Sequence, residues 1–230
     1  MKETILDNPA WGSLISEHKH FAEGTDRVKR YRNSIVPFVA CRDAGEDSME
    51  DINPWISAGE SFYIIGELPV LPKDWKVESE LPCAQMLLTP GWSLPLPEED
   101  DVTISLLGDA DATAMYELIN SVQPGYYNPD TRLLGTYYGI RQQGKLVAMA
   151  GERMRMTGFC ELSAICTDPA YTGKGYAQRL ITQLCRRHVA AGIASFLHVS
   201  LLNERAIRLY EHMGFTYRRS ISFTKVKKNS

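Results

Sequence analysis

No stretch of the 230 residues stays apolar for the length of a membrane span, so the chain is expected to have no transmembrane helix. The first residues, Met1-Lys2-Glu3-Thr4, are polar and predict no signal-peptide core. Cysteine is sparse, odd in number and scattered: Cys41, Cys83, Cys160, Cys166 and Cys185. No pair has metal-ligand spacing, so no metal is expected and the thiols read as reduced, in a cytoplasmic protein. There is no internal repeat. There is no ladder of aromatic and basic residues and no reading helix, which argues against nucleic acid as a partner. Residues 1–90 carry no motif that can be named.

What is present is ordinary for a globular chain, with 44% hydrophobic and 23% charged residues. The length allows one large domain or two small ones. The net charge of −3 hides an asymmetry. Residues 1–101 hold 9 Lys and Arg against 19 Asp and Glu, whereas the remainder holds 16 against 9. A basic second half suits an anionic cofactor with several phosphates, although two oppositely charged halves also simply attract.

Leu94-Pro95-Leu96-Pro97-Glu98-Glu99-Asp100-Asp101 reads as a linker, extended by its prolines and kept wet by its carboxylates. It predicts an amino-terminal α/β unit over 1–93, the linker over 94–101 and a second domain over 102–230. In the first unit a helix is expected from Asn8-Pro9 through Phe21, with His18 and His20 on the surface. Strands are expected at 36–41, 61–66 and 83–88, and a short helix or loop at 47–56. In the second, a strand at 102–106 precedes a helix from Asp109 through Ile119. Tyr137–Ile140 and Lys145–Arg155 then form a hairpin around Gln143-Gly144. The aromatic loop Pro124-Gly125-Tyr126-Tyr127-Asn128-Pro129 is open between an acceptor wall and a turn with buried tyrosines.

The most informative stretch is FCELSAICTDPAYTGKGYAQRL, from Phe159 to Leu180. Alternating residues predict a strand from Phe159 to Thr167, which Asp168-Pro169 stops. Thr172-Gly173-Lys174-Gly175-Tyr176-Ala177 follows, and from Gly175 apolar residues recur at helical steps as far as Gly192. A glycine-rich loop opening a helix offers free backbone N–H groups at the positive end of the helix dipole, a site for a phosphate or pyrophosphate. A Walker-type loop would need Ser or Thr where Tyr176 stands. A dinucleotide fingerprint would need an acidic residue after the next strand, Ser195–Val199, and none is there.

Thr172 to Ala177 resembles the pyrophosphate loop of the GNAT superfamily of N-acetyltransferases, Gln/Arg-x-x-Gly-x-Gly/Ala, with Thr172 in place of Arg or Gln. Asn203 to Phe215 resembles its second signature, Asn-x-x-Ala-x-x-x-Tyr-x-x-x-Gly-Phe. The resemblance covers about Val102 to Val226. The strand Glu161-Leu162-Ser163-Ala164-Ile165-Cys166-Thr167 is similar to that of glycine N-acyltransferase-like members. It implies an α/β fold with a mixed, twisted sheet and helices on both faces, the GNAT acyltransferase fold, with a smaller amino-terminal α/β domain. It also implies acetyl-CoA as acyl donor and a primary amine, small or on a protein, as acceptor. Small amines, amino acids, polyamines, antibiotics and protein amino groups remain open, as do a longer acyl donor, an inactive CoA-binding module and the oligomeric state.

Amide formation from a thioester needs a neutral amine, a polarised carbonyl and a proton for the leaving thiolate. Glu161 stands where family members carry a catalytic glutamate, and its apolar neighbours Phe159 and Leu162 predict a pKa raised toward neutrality. The resemblance assigns the thioester carbonyl and pantetheine to backbone N–H groups at Ile165, Cys166 and Thr167. It assigns the pyrophosphate to Thr172, Gly173, Lys174, Gly175, Tyr176 and Ala177, and gives Asn203 a cap and a cofactor contact. Tyr210 is the expected proton donor, and Cys166 reads as a packing thiol rather than a nucleophile.

Overall fold

Strand order, more than any single element, decides where the site lies. The computed structural model describes residues 3–88, 91 and 102–229, so the expected linker at 94–101 lies outside the described residues. Asn8 caps a short helix α1 (Pro9–Leu14) by accepting from the Trp11 amide, and proline fits its first turn. Strands β1 (Ala22–Gly24), β2 (Val28–Tyr31), β3 (Phe38–Cys41), β4 (Ser61–Ile65) and the long β5 (Trp75–Leu88) complete the first half. Then come β6 (Ile104–Leu107), α2 (Ala112–Val122), β7 (Tyr137–Gln142), β8 (Lys145–Met156) and β9 (Phe159–Thr167). α3 (Tyr176–Ala190), β10 (Ala194–Ser200), α4 (Glu204–His212) and β11 (Phe215–Lys228) end the chain.

Among the described residues the strands form one sheet, ordered β1-β2-β3-β4-β11-β5-β10-β9-β8-β7-β6. The last strand is inserted between two strands of the first half, and β5 lies between two strands of the second. Phe215 to Lys228 pairs antiparallel with Leu88 to Trp75. Helices cover both faces because side chains alternate along β8. Ala148 and Ala150 join Leu180, Ile181 and Leu184 of α3 in one core. Met149 joins Met115, Leu118 and Ile119 of α2 in another. A third core sets Leu14 of α1 against Met154, Phe159, Phe196 and Phe223.

The helix expected through Phe21 ends at Leu14, and a separate 3-10 turn forms at Lys19–Phe21. That turn carries His18 inward, against expectation, where it is 3% exposed and bonded to the Tyr31 hydroxyl and the Leu134 carbonyl. His20 stays exposed.

Candidate active site

The loop between β9 and α3 is pinned at its base. Asp168 accepts from the Ala170 amide at 3.0 Å and from Lys145 Nζ at 2.7 Å. Gly173 and Gly175 adopt φ of +80° and +72°, and a Cβ at either would meet nothing within 4 Å. Glycine is required there by backbone conformation, not by space. Thr172 donates its hydroxyl to the Pro169 carbonyl at 3.1 Å, which fastens the loop to itself. Thr172, Gly173, Lys174 and Gly175 are exposed, and Ala177 is half-buried. Tyr176 is buried, its hydroxyl accepting from the Gln142 side chain at 3.1 Å. The first amides of α3 have no partner within the helix, an arrangement whose free N–H groups and dipole suit an anion.

Beside the loop the sheet opens. β9 and β10 run parallel from the Phe159–Ala194 pair to the Leu162–Leu197 pair, and their pairing stops there. Beyond that point β10 follows β5 as far as Ser200, while β9 follows β8. The divergence coincides with a bulge. Ser163 faces Gly151 and Cys166 faces Met149, so Ala164 and Ile165 oppose one residue, and Ala164 sits at φ +51°. A cavity of about 400 Å³ fills the opening.

Ile165, Asn203 and Tyr210 all line this cavity. Asn203 caps α4 by accepting from the Ala206 amide at 3.2 Å. Tyr210 is 8% exposed, and its hydroxyl has no hydrogen-bond partner among the described residues. Burial pushes its pKa up to about 12, so it holds its proton at neutral pH. Thr167 ends β9 and is half-buried. Cys166 packs into the α2 core instead, and burial pushes its thiol up to about 12. It is a packing residue, with too little thiolate to act as a nucleophile.

Glu161 differs from expectation. It is fully buried and does not line the cavity. Burial alone would raise its pKa, but the charge and hydrogen bonds of Arg153, with a hydrogen bond from His198, hold it down at about 2. The apolar neighbours Phe159 and Leu162 supply only the first of these effects. The pKa is therefore lowered, where a rise toward neutrality was expected.

Glu161 belongs to a polar ladder that crosses five adjacent strands: Arg218 of β11, Gln85 of β5, His198 of β10, Glu161 of β9 and Arg153 of β8. Arg218 donates to Gln85 Oε1 at 2.7 Å, so the Gln85 amide nitrogen donates to the Leu6 carbonyl and to His198 Nε2. The His198 proton is therefore on Nδ1, where it donates to Glu161 Oε1 at 2.7 Å. Two further bulges place the arginines. Arg218 is the extra residue between Tyr217 and Arg219, and Arg153 and Met154 together oppose Glu161. Arg153 and His198 line the cavity, and the sequence reading missed both. His198 is a lone histidine in β10, but Arg153 stands between Glu152 and Arg155 in β8 and carries no signal of its own.

A second buried group, Glu152, Cys160 and His188, brings its ligand-type atoms within 4.8 Å of one another. Both ring nitrogens of His188 are engaged, by Ser195 Oγ at 2.8 Å and Glu152 Oε1 at 3.0 Å. Arg187 lies 3.8 Å from the same carboxylate oxygen, so the group reads as a clamp tying α3 to β8 and β10.

The FR47-like protein family model matches residues 137–224, which span β7 to β11. An N-alpha-acetyltransferase RimI from Mycobacterium tuberculosis is 33% identical over 129 residues, 51% of this chain and 80% of that protein. A crystal structure from Novosphingobium aromaticivorans, assigned to the GNAT acetyltransferases, superimposes with a TM-score of 0.87 at 33% identity. That match covers 98% of this chain and 99% of the other. A GCN5-related N-acetyltransferase from Kribbella flavida shares the fold, with a TM-score of 0.65 at 15% identity over 99% of this chain and 95% of its own. With two relatives at one-third identity, one matched along its whole length, the chain belongs to the GNAT family of acetyl-CoA-dependent N-acetyltransferases.

Proposed function

We propose that a primary amine attacks the bound thioester directly, with Tyr210 protonating the departing CoA thiolate. The observation that carries this reading is the cavity at the β9–β10 divergence, lined by Ile165, Asn203 and Tyr210. The pyrophosphate would rest on the amides of Gly173, Lys174, Gly175, Tyr176 and Ala177, and the Thr172 hydroxyl would fix the loop. Backbone donors at Ile165, Cys166 and Thr167 would meet the pantetheine and the thioester carbonyl. Among the described residues lining the cavity, no side chain offers a free basic atom at neutral pH. Glu161 is absent from the wall, Arg153 is a cation, and both ring nitrogens of His198 are engaged. The amine therefore loses its proton to water or enters neutral.

The acidic first half, 1–93, would wall the acceptor side through Leu81 and Cys83, and the basic half, 102–230, would hold acetyl-CoA. The ELSAICT strand supports kinship with glycine N-acyltransferase-like members, which keeps a longer acyl donor as the nearby alternative. Among the described residues no helix is long and apolar enough to cross a membrane. Five buried, unpaired cysteines support a cytoplasmic location.

The test is release of free CoA thiol from acetyl-CoA with a panel of amines, alongside melting curves with CoA. Stabilisation by CoA without thiol release would instead favour a binding module that has lost catalysis.

A further inference from the structure

The acceptor side of the cavity has a distinctive charge inventory. Among the described residues that line it, Arg153 is the one permanently charged side chain, and no carboxylate is present. Its side chain is 12% exposed. Burial works against its charge, but Glu161 outweighs that and keeps it a cation. Nε and Nη2 are both committed to Glu161, at 2.8 and 2.6 Å. Nη1, on the far edge of the guanidinium, has no hydrogen-bond partner among the described residues.

The guanidinium carbon lies 5.2 Å from the Phe38 ring centroid and 5.4 Å from that of Phe223. Two aromatic faces and a two-pronged ion pair together fix the plane of the fork. A donor pair on a fixed, largely desolvated cation that lacks an acceptor is a site for an oxyanion. A polycation entering the same cavity would meet a positive charge and no negative one.

We infer that the acceptor carries a carboxylate beside its amine, that Arg153 Nη1 binds this carboxylate, and that Glu161 is the positioning residue that orients Arg153. Glu161 neutralises the pair overall, yet it sits behind the Nε–Nη2 edge, so an anion arriving at Nη1 approaches the cation first. Amino acids then become the favoured acceptors, and polyamines the disfavoured ones. The inference rests on the acetyl-transfer reading.

The test uses the full chain with acetyl-CoA and matched acceptors, each amino acid against its own carboxamide. Rates are compared as pH-independent kcat/KM, because the two amines differ in basicity. One charge-assisted contact predicts a preference for the acid of about tenfold or more, carried mainly by KM. In the double variant Arg153→Gln/Glu161→Gln, which removes both charges together, the acid-to-amide ratio should fall to near unity while CoA still raises the melting temperature. A merely structural role would lower both rates and leave their ratio unchanged. Equal or better use of the carboxamides by the unmodified protein would overturn the inference and leave acetyl transfer standing. Absence of thiol release with every amine would sink both.

Discussion

Arg153 grips both oxygens of Glu161 from the neighbouring strand, Nε to Oε2 at 2.8 Å and Nη2 to Oε1 at 2.6 Å. The Met154 amide adds a third donor to Oε2 at 3.3 Å. The pair holds the Glu161 carboxylate ionised and behind the cavity wall.

Glu161→Gln should therefore act on stability before it acts on proton transfer. Removing one partner of a buried ion pair costs about 3–5 kcal/mol. The folded pKa of about 2 lies below the ordinary value of 4.5, so this stabilisation is present above pH 4.5 and lost as pH falls toward 2. Urea denaturation of both proteins should show a gap at pH 7 that narrows as the pH falls from 5 to 3. For the parent enzyme, the acidic limb of kcat/KM should move with the pKa of whichever amine is supplied. A limb fixed near pH 6–7 for all amines would restore a side-chain base.

Tyr210→Phe removes the hydroxyl and keeps the ring that packs against Phe215, whose centroid is 6.0 Å away. Loss of a positioned general acid should lower kcat by about a hundredfold or more. The melting-temperature rise with CoA should be unchanged. A variant with the parent's kcat would show that the thiolate finds its proton in water.

Gly175→Asp should abolish that rise, because it sets a carboxylate against the expected pyrophosphate and forces a side chain to φ +72°. Gly175→Ala separates the two effects: it carries the backbone cost of about 1–2 kcal/mol without the charge, and should still bind CoA. Thr172→Arg should tighten CoA by about 1–2 kcal/mol, the size of one charge-assisted contact, even after loss of the hydroxyl bond to Pro169. Calorimetric titration with CoA measures all three.

His18 predicts acid sensitivity in the amino-terminal half. Burial chiefly pushes its pKa down from 6.5 to about 4, so the unfolded chain binds the extra proton first. Stability from this group is present above pH 6.5 and is lost as pH falls toward 4, by about 3 kcal/mol in all. His18→Gln should flatten the slope of unfolding free energy between pH 6.5 and 4. An unchanged slope would mean that other groups set it.

The parts whose physics is local were legible in the residues themselves. Alternation from Phe159 to Thr167, the stop at Asp168-Pro169, two glycines at positive φ and a helical period from Tyr176 give a strand, loop and helix that the structure reproduces. The cap at Asn203 and the hairpin around Gln143-Gly144 were legible for the same reason. The surroundings of Glu161 come instead from long-range strand pairing. Apolar neighbours in sequence predict a raised pKa, but its charge partners come from β8 and β10 and are aligned by strand order and by a bulge that leaves no mark in composition. His18 was misread likewise, because the carbonyl that draws it inward belongs to Leu134. Periodicity and backbone preference act within a few residues, whereas burial and charge pairing depend on which distant strands become neighbours.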